Sequence, residues 1–222
     1  SVGFDTKKSS DQSLDDIMTD AENAMYKDKT MNRKSFNKDV VDTIVSTLHS
    51  KSAREKQHSV VTSELCGEIG ATLHLSEPDI NKLMRAGYLH DIGKIGISKD
   101  IVLKKSQLNE SEWSIMKKHV EIGYRIAHAS GEFAHLADII LYHHEWWNGQ
   151  GYPQGLKEEE IPFLSRVISI LDAFDVMTHQ QPYKPARTVD EALNELWLKA
   201  GTQFDPVLVP VFIKMMADQN HE

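Results

Sequence analysis

The chain has little cysteine, no long apolar run and no excess of basic residues, and each of these closes off a class of function. Its longest apolar stretch, Val207 to Ile213 with Pro210 inside it, falls far short of the ~18 residues a membrane span needs. No apolar signal core stands near the N-terminus, so a cytoplasmic location and no membrane contact by this segment are expected. The single cysteine, Cys66, has no partner for an internal disulfide, which suits a reducing compartment. Its setting in VVTSELCGEIG marks it as a buried helix residue with no assigned function. Acidic residues number 33 against 25 basic ones, a net charge of −8, so no basic stripe is available to a nucleic-acid polymer. An anionic substrate would need a local positive feature, and a metal site supplies one.

What the chain does have is helical periodicity and 11 histidines. Residues 1–35 read apart from the rest. SVGF looks like a short strand, and LDDIMTDAENAMYKDK like an amphipathic helix with Ile17, Ala21, Ala24 and Met25 on its apolar side. One strand and one helix cannot enclose a core, so this segment reads as the end of another domain, followed by a linker. From residue 36 to 222 the pattern is helical. Phe36, Val40, Ile44 and Leu48 recur every four residues, as do Val61, Leu65, Ile69 and Leu73. Ser76 with Asp79, Asn109 with Glu112, and Thr188 with Glu191 stand as helix caps, Gly201 as a helix stop, and Asp205–Pro206 as the start of the last helix. No alternation of period two follows, so the body is expected to be all-α.

Several histidines and aspartates fall on apolar helix faces. His58 opens the helix of Val61 and Leu65. His90 and Asp91 end another, before Gly93 and Gly96 break the pattern. His119 is in register with Ile115, Ile122 and Ile126. His143 and His144 follow Ile139 and Ile140 by a turn, and Asp172 follows Ile168. Any one of these alone is best read as a hydrogen-bonded core residue. Together they would cost roughly several kcal/mol each in desolvation, whereas one metal cluster satisfies them all. Imidazole and carboxylate without thiolate suit Fe, Mn, Zn or Ni. His49, His74, His128, His135, His179 and His221 fit no such pattern and read as surface or core residues.

HDIGK at 90–94, HHE at 143–145 and NGQGYP at 148–153 resemble the motifs of the HD-GYP family, within the HD superfamily of metal-dependent phosphohydrolases. FDP at 204–206 and QPYKPA at 181–186 agree with the later part of that pattern, and the resemblance runs from about residue 38 to 217. It implies an all-helical HD fold and hydrolysis of cyclic di-GMP to pGpG or onward to GMP. AENAMYKDK at 21–29 is similar to the closing helix of a GGDEF domain, although the GG(D/E)EF loop is absent. The resemblance therefore implies partners such as GGDEF or other signalling domains of a longer chain, and admits a homodimer.

Carried onto this sequence, the family implies a centre of two or three divalent ions, iron or manganese before zinc or nickel. His58, His90, Asp91 and Asp172 hold one, and Asp91 bridges to a second held by His119, His143 and His144. Two ions about 3.5–4 Å apart would share the attacking hydroxide. Lys94, three residues after Asp91, brings its ammonium back to the site as a catalytic group beside Asp91. Tyr152, with Pro153, forms a lip of the substrate pocket. Asp175, one turn after Asp172, contacts substrate or orients a ligand histidine. Where the family pattern has R-P-Y-R, this chain has Gln181 and Lys184, so Lys184 is left with most of the phosphate contact. Trp146 and Trp147 either stack on a base or anchor their loop. Members with a third ion use a glutamate four residues before the first ligand histidine. Arg54 stands there, so two ions are expected, with Glu55 solvated or paired with a lysine. The rival readings are a cyclic di-GMP sensor that does not cleave, an interaction module, and an HD phosphohydrolase for another nucleotide.

Overall fold

The computed structural model describes residues 18, 39–50, 52–180 and 185–219. The strand and helix expected in residues 1–35 lie outside the described residues, apart from Met18, as do Gln181 and Lys184. Among the described residues there is no strand, and no helix is long and apolar enough to cross a membrane. The all-α expectation for the body holds.

Helix α1 covers 39–50. It is followed by α2 (Ala53–Thr72), α3 (Glu77–Leu89), a 3₁₀ turn (Ile92–Gly96), α4 (Lys99–Val102), α5 (Glu110–Met116) and α6 (His119–Ser130). Then come α7 (Ala137–Tyr142), α8 (Phe163–Thr178), α9 (Val189–Leu198) and α10 (Leu208–Gln219). Several helices start where a side chain satisfies a free amide. Ser76 accepts from the Asp79 amide at the head of α3, and full capping boxes pair Asn109 with Glu112 and Thr188 with Glu191. Asp205 Oδ1 accepts from the Val207 amide at 2.8 Å, while its Oδ2 takes Arg166 Nη1 at 2.6 Å. That aspartate therefore ties the head of α10 to α8 as well as capping it.

Helix α2 packs on α3 and α8, and α6 packs on the 3₁₀ turn and α7. Leu83, Leu136, Ile140, Ile168, Leu171 and Phe212 fill the space between them and are fully buried. Two details of register differ from the expectation. In α1 the buried face is Val41, Val45 and Leu48, with Val40 turned outward; the four-residue repeat drifts off the 3.6-residue turn by one position. The helix expected to carry both Ile115 and His119 is broken at Lys117–Lys118 into α5 and α6, so Ile115 is exposed while His119 is buried. His58 lies one turn inside α2, which begins at Ala53 under the Ser52 cap.

Candidate metal centre

Five elements converge on one buried cluster. His58 comes from α2, His90 and Asp91 from the end of α3, and His119 from the first residue of α6. His143 and His144 follow the end of α7, and Asp172 and Asp175 sit in α8. Most are at helix ends, where the last carbonyls have no helical partner. That is put to use. The Nδ1–H of His90 donates to Gly87 O at 2.7 Å, that of His119 to Met116 O at 2.8 Å, and that of His143 to Ile140 O at 2.7 Å. A carbonyl only accepts, so each ring carries its hydrogen on Nδ1 and presents a bare lone pair at Nε2.

Those lone pairs point at one another and at carboxylates. Nε2 of His119 and of His143 is buried without a hydrogen-bond partner. His119 Nε2 lies 3.3 Å from Asp91 Oδ1, an approach of two acceptors with no proton between them. His58 Nε2 lies 3.0 Å from His90 Nε2 and 3.2 Å from Asp172 Oδ1. The donor atoms of His58, His90 and Asp91 lie within 4.8 Å of one another, and so do those of Asp91, His119, His143 and His144. Asp91 belongs to both groups. Asp172 faces both as well, with Oδ2 3.9 Å from His144 Nδ1. The structure thus brings together every histidine and aspartate that the sequence assigned to metal.

Charge in the cluster is arranged to hold cations. Burial, together with the neighbouring imidazoles, pushes His143 well below its usual range; burial lowers His119 and takes His144 down to about 3. All three are therefore neutral imidazoles at pH 7. Burial opposes a charge on His58 too, but its contacts with Asp172, Asp175 and Asp91 outweigh that and raise it well above normal. The same balance, with Lys94 and His90 overcoming burial, holds Asp91 far below the usual carboxylate range. The carboxylates of Glu55, Asp91, Asp172 and Asp175 outnumber the cations Arg54 and Lys94. A nitrogen and oxygen donor set with spare negative charge and unpartnered lone pairs fits divalent Fe, Mn, Zn or Ni.

A surrounding layer fixes these ligands. Asp175 is fully buried, and its Oδ2 accepts from His58 Nδ1 at 2.5 Å and from Arg54. Its Oδ1 lies 2.9 Å from His179 Nδ1, which places a histidine read as surface or core against the site. Lys94 Nζ is 2.5 Å from Asp91 Oδ2 and 3.1 Å from Glu55 Oε2. Arg54 and Glu55, adjacent in sequence, thereby serve different parts of the cluster.

Sequence reading missed Glu145. It is buried and accepts from the amides of Gln154 at 2.6 Å and Gly155 at 3.0 Å, closing the loop on itself. The only hint was its place directly after the two histidines. The loop turns at Gly149 (φ +79°) and Gly155 (φ +71°), and a Cβ on Gly151 would lie 2.2 Å from the Trp146 amide nitrogen. Its far side hooks back through the Tyr152 amide, which donates to His144 O at 3.1 Å and sets the Tyr152 ring 4.9 Å from that of His144. Trp147 donates its amide to Gln203 O and lies under the Arg166 guanidinium, so it anchors the loop. Glu145→Ala should strand two amides and cost about 3 kcal/mol, a fall in Tm of roughly 6–12 °C. Thermal unfolding of the metal-free protein checks this, and an unchanged midpoint would remove Glu145 from the account of the loop.

The family model described as HD domain matches residues 41–208. The chain is 39% identical over 161 residues to a Thermotoga maritima cyclic di-GMP phosphodiesterase, covering 72% of this chain and 44% of that protein. It is 31% identical over 183 residues to the Vibrio cholerae 3′3′-cGAMP-specific phosphodiesterase 2, covering 82% of this chain and 35% of that protein. The chain thus spans less than half the length of these curated relatives. Among solved structures it resembles an HDGYP protein of Bdellovibrio bacteriovorus, with a TM-score of 0.62, 18% identity, and coverage of 95% of this chain and 75% of that one. It also resembles the HD domain of the Listeria monocytogenes phosphodiesterase PgpH in complex with cyclic-di-AMP. There the TM-score is 0.54 and the identity 14%, over 81% of this chain and 96% of that one. At these identities the two structures speak to the fold alone.

Proposed function

The chain belongs to the HD domain family, and from that premise we propose that it is a metal-dependent phosphodiesterase of HD-GYP type that hydrolyses cyclic di-GMP. The observation that carries this reading is the set of buried imidazole lone pairs facing Asp91 with no hydrogen to meet them. His58, His90, Asp91 and Asp172 would hold one iron or manganese ion, and Asp91, His119, His143 and His144 a second. Two divalent ions there would supply Lewis acidity toward a phosphodiester and lower the pKa of water at the site. Asp175 acts through His58, fixing its ring with Nε2 turned to the site, and does not touch substrate. Lys94 holds a positive charge beside Asp91 and donates to a non-bridging phosphate oxygen. Tyr152 stands over His144 as the lip of the pocket. Lys184 meets phosphate, with Gln181 next to it as a neutral donor. Glu55 is engaged by Lys94, which supports a two-ion centre. The likeness of AENAMYKDK to the end of a GGDEF domain supports partner domains of that kind in a longer, cytoplasmic chain.

Cyclic di-GMP as the substrate is supported by curated relatives that carry it in their names. A second reading, 3′3′-cGAMP, is favoured by the Vibrio cholerae relatives named for it. Protein loaded anaerobically with Fe²⁺ or Mn²⁺ should convert cyclic di-GMP to pGpG or GMP, with the nucleotides resolved by chromatography. Tight binding of cyclic di-GMP without any product would instead make the domain a sensor.

A further inference from the structure

We propose that Trp113 and Lys117, outside the metal cluster, form the subsite for the half of the cyclic dinucleotide that is not being cleaved. In this arrangement Trp113 stacks on its purine and Lys117 meets its phosphate. The inference rests on the phosphodiesterase reading above and adds to it where the far end of the substrate lies.

Trp113 is the middle residue of the short helix α5 and is 47% exposed, so a large part of its aromatic surface lies open to solvent. It is not isolated. Its ring stands edge-on to Tyr152, with centroids 6.5 Å apart and an interplanar angle of 82°. Tyr152 in turn lies tilted by 33° over His144. A row of rings therefore runs outward from His144 to a partly exposed indole. Lys117 Nζ sits 5.8 Å over the Tyr152 ring, on the same wall. Lys104 takes up Glu112, one of the two carboxylates of α5, at 2.5 Å, and Lys117 has no ion-pair partner among the described residues.

The charge around this wall runs against the rest of the chain. Between Ile92 and His119 stand Lys94, Lys99, Lys104, Lys105, Lys117 and Lys118, against Asp100, Glu110 and Glu112. The chain as a whole carries −8; Lys94 and Lys104 of this segment are taken up by carboxylates, while Lys117 stands over the Tyr152 ring. A cyclic dinucleotide has two phosphates and two bases on one closed ring. With one phosphate at the cluster, the other must lie a few ångströms off with a base on either side. A cation backed by two aromatic rings matches that second half.

The chemistry also limits what this wall can select. Every purine has a π-face, so stacking adds affinity without choosing adenine or guanine. Trp113 therefore sets how tightly a dinucleotide is held and leaves base choice to other groups.

The test uses the full chain loaded with Mn²⁺ and three esters: cyclic di-GMP, 3′3′-cGAMP and methyl p-nitrophenyl phosphate, which lacks a purine. Trp113→Ala should raise KM for both dinucleotides on the order of tenfold or more, by the same factor for each, with little change in kcat. Preference for dinucleotide over the simple ester should fall in proportion. Trp113→Phe should keep most of the affinity. Lys117→Gln should raise KM for the dinucleotides and flatten its salt dependence. A wild-type enzyme that cleaves cyclic di-GMP, with Trp113→Ala at wild-type KM, overturns the subsite alone. Equal losses on all three esters mean damage to the Tyr152 loop and also overturn it. A wild type that cleaves no ester defeats the phosphodiesterase reading, and the subsite with it.

Discussion

Asp91→Ala should leave no measurable phosphodiesterase activity and should strip the protein of most of its metal. Among the described residues, Asp91 alone belongs to both close-packed donor groups, with Asp172 facing both from one side. Asp91 Oδ1 faces His119 Nε2 at 3.3 Å, while Oδ2 faces His90 Nε2 at 3.4 Å and His58 Nε2 at 3.5 Å. One carboxylate thus joins the two halves of the cluster, and losing it removes a ligand and a negative charge from both at once. Lys94 makes the loss worse. Its ammonium, now neutralised by Asp91 and Glu55, would face the incoming cations with one counter-charge fewer. Asp91→Asn separates these effects, because the amide keeps the shape and one oxygen but not the charge. It too should fail to turn over, with metal content between those of wild type and Asp91→Ala. Elemental analysis of anaerobically purified protein reads the outcome directly, two ions per chain being expected for the wild type. Asp91→Ala with normal metal content and normal turnover would sink the bridging role and the two-ion scheme together.

The cluster was legible because imidazoles and carboxylates on apolar helix faces are costly to bury unless something such as a metal takes them up. His119, His143 and Asp172 each continue an isoleucine row, and HDIGK and HHE gave their order in the chain. The caps at Ser76, Asn109 and Thr188 were equally plain, since capping is a matter of residues three apart. What could not be read depended on contacts between distant segments. Arg54 reaches Asp175 from 121 residues away, and Lys94 reaches Glu55 from 39 away. No local pattern marks either pair. The angle of Glu55 on its helix did imply a paired or solvated carboxylate rather than a ligand-like one, and its partner is a lysine. Glu145 was hidden for a different reason. Its partners are backbone amides, which leave no trace in side-chain identity. The break between α5 and α6 was missed because Lys117 and Lys118 are good helix formers. Tertiary packing of His119 against the 3₁₀ turn decided it.

That packing carries the other large expected effect. Gly93→Ala should destabilise the metal-free protein by about 3–5 kcal/mol and should also lower its metal uptake. A Cβ at Gly93 would lie 1.9 Å from His119 O and 2.5 Å from Gly123 N. Both are backbone atoms in the first turns of α6, which cannot rotate out of the way as a side chain would. The 3₁₀ turn and α6 would have to move apart. Asp91 and His119 sit on opposite sides of that contact and contribute to the same ligand group, so separation opens the cluster as well as the core. Gly96 provides the comparison, since it lies in the same turn and faces the same helix. A Cβ there would meet Ile122 Cδ1 at 3.0 Å, the free end of a flexible side chain. Gly96→Ala should therefore cost less than about 1 kcal/mol and leave metal binding intact. Denaturant midpoints of the two chelated variants, measured beside wild type and followed by metal titration, distinguish these cases. If Gly93→Ala unfolds with Gly96→Ala and takes up metal as well as it does, the turn does not rest on α6. Asp91 would then have to be positioned by something other than that contact.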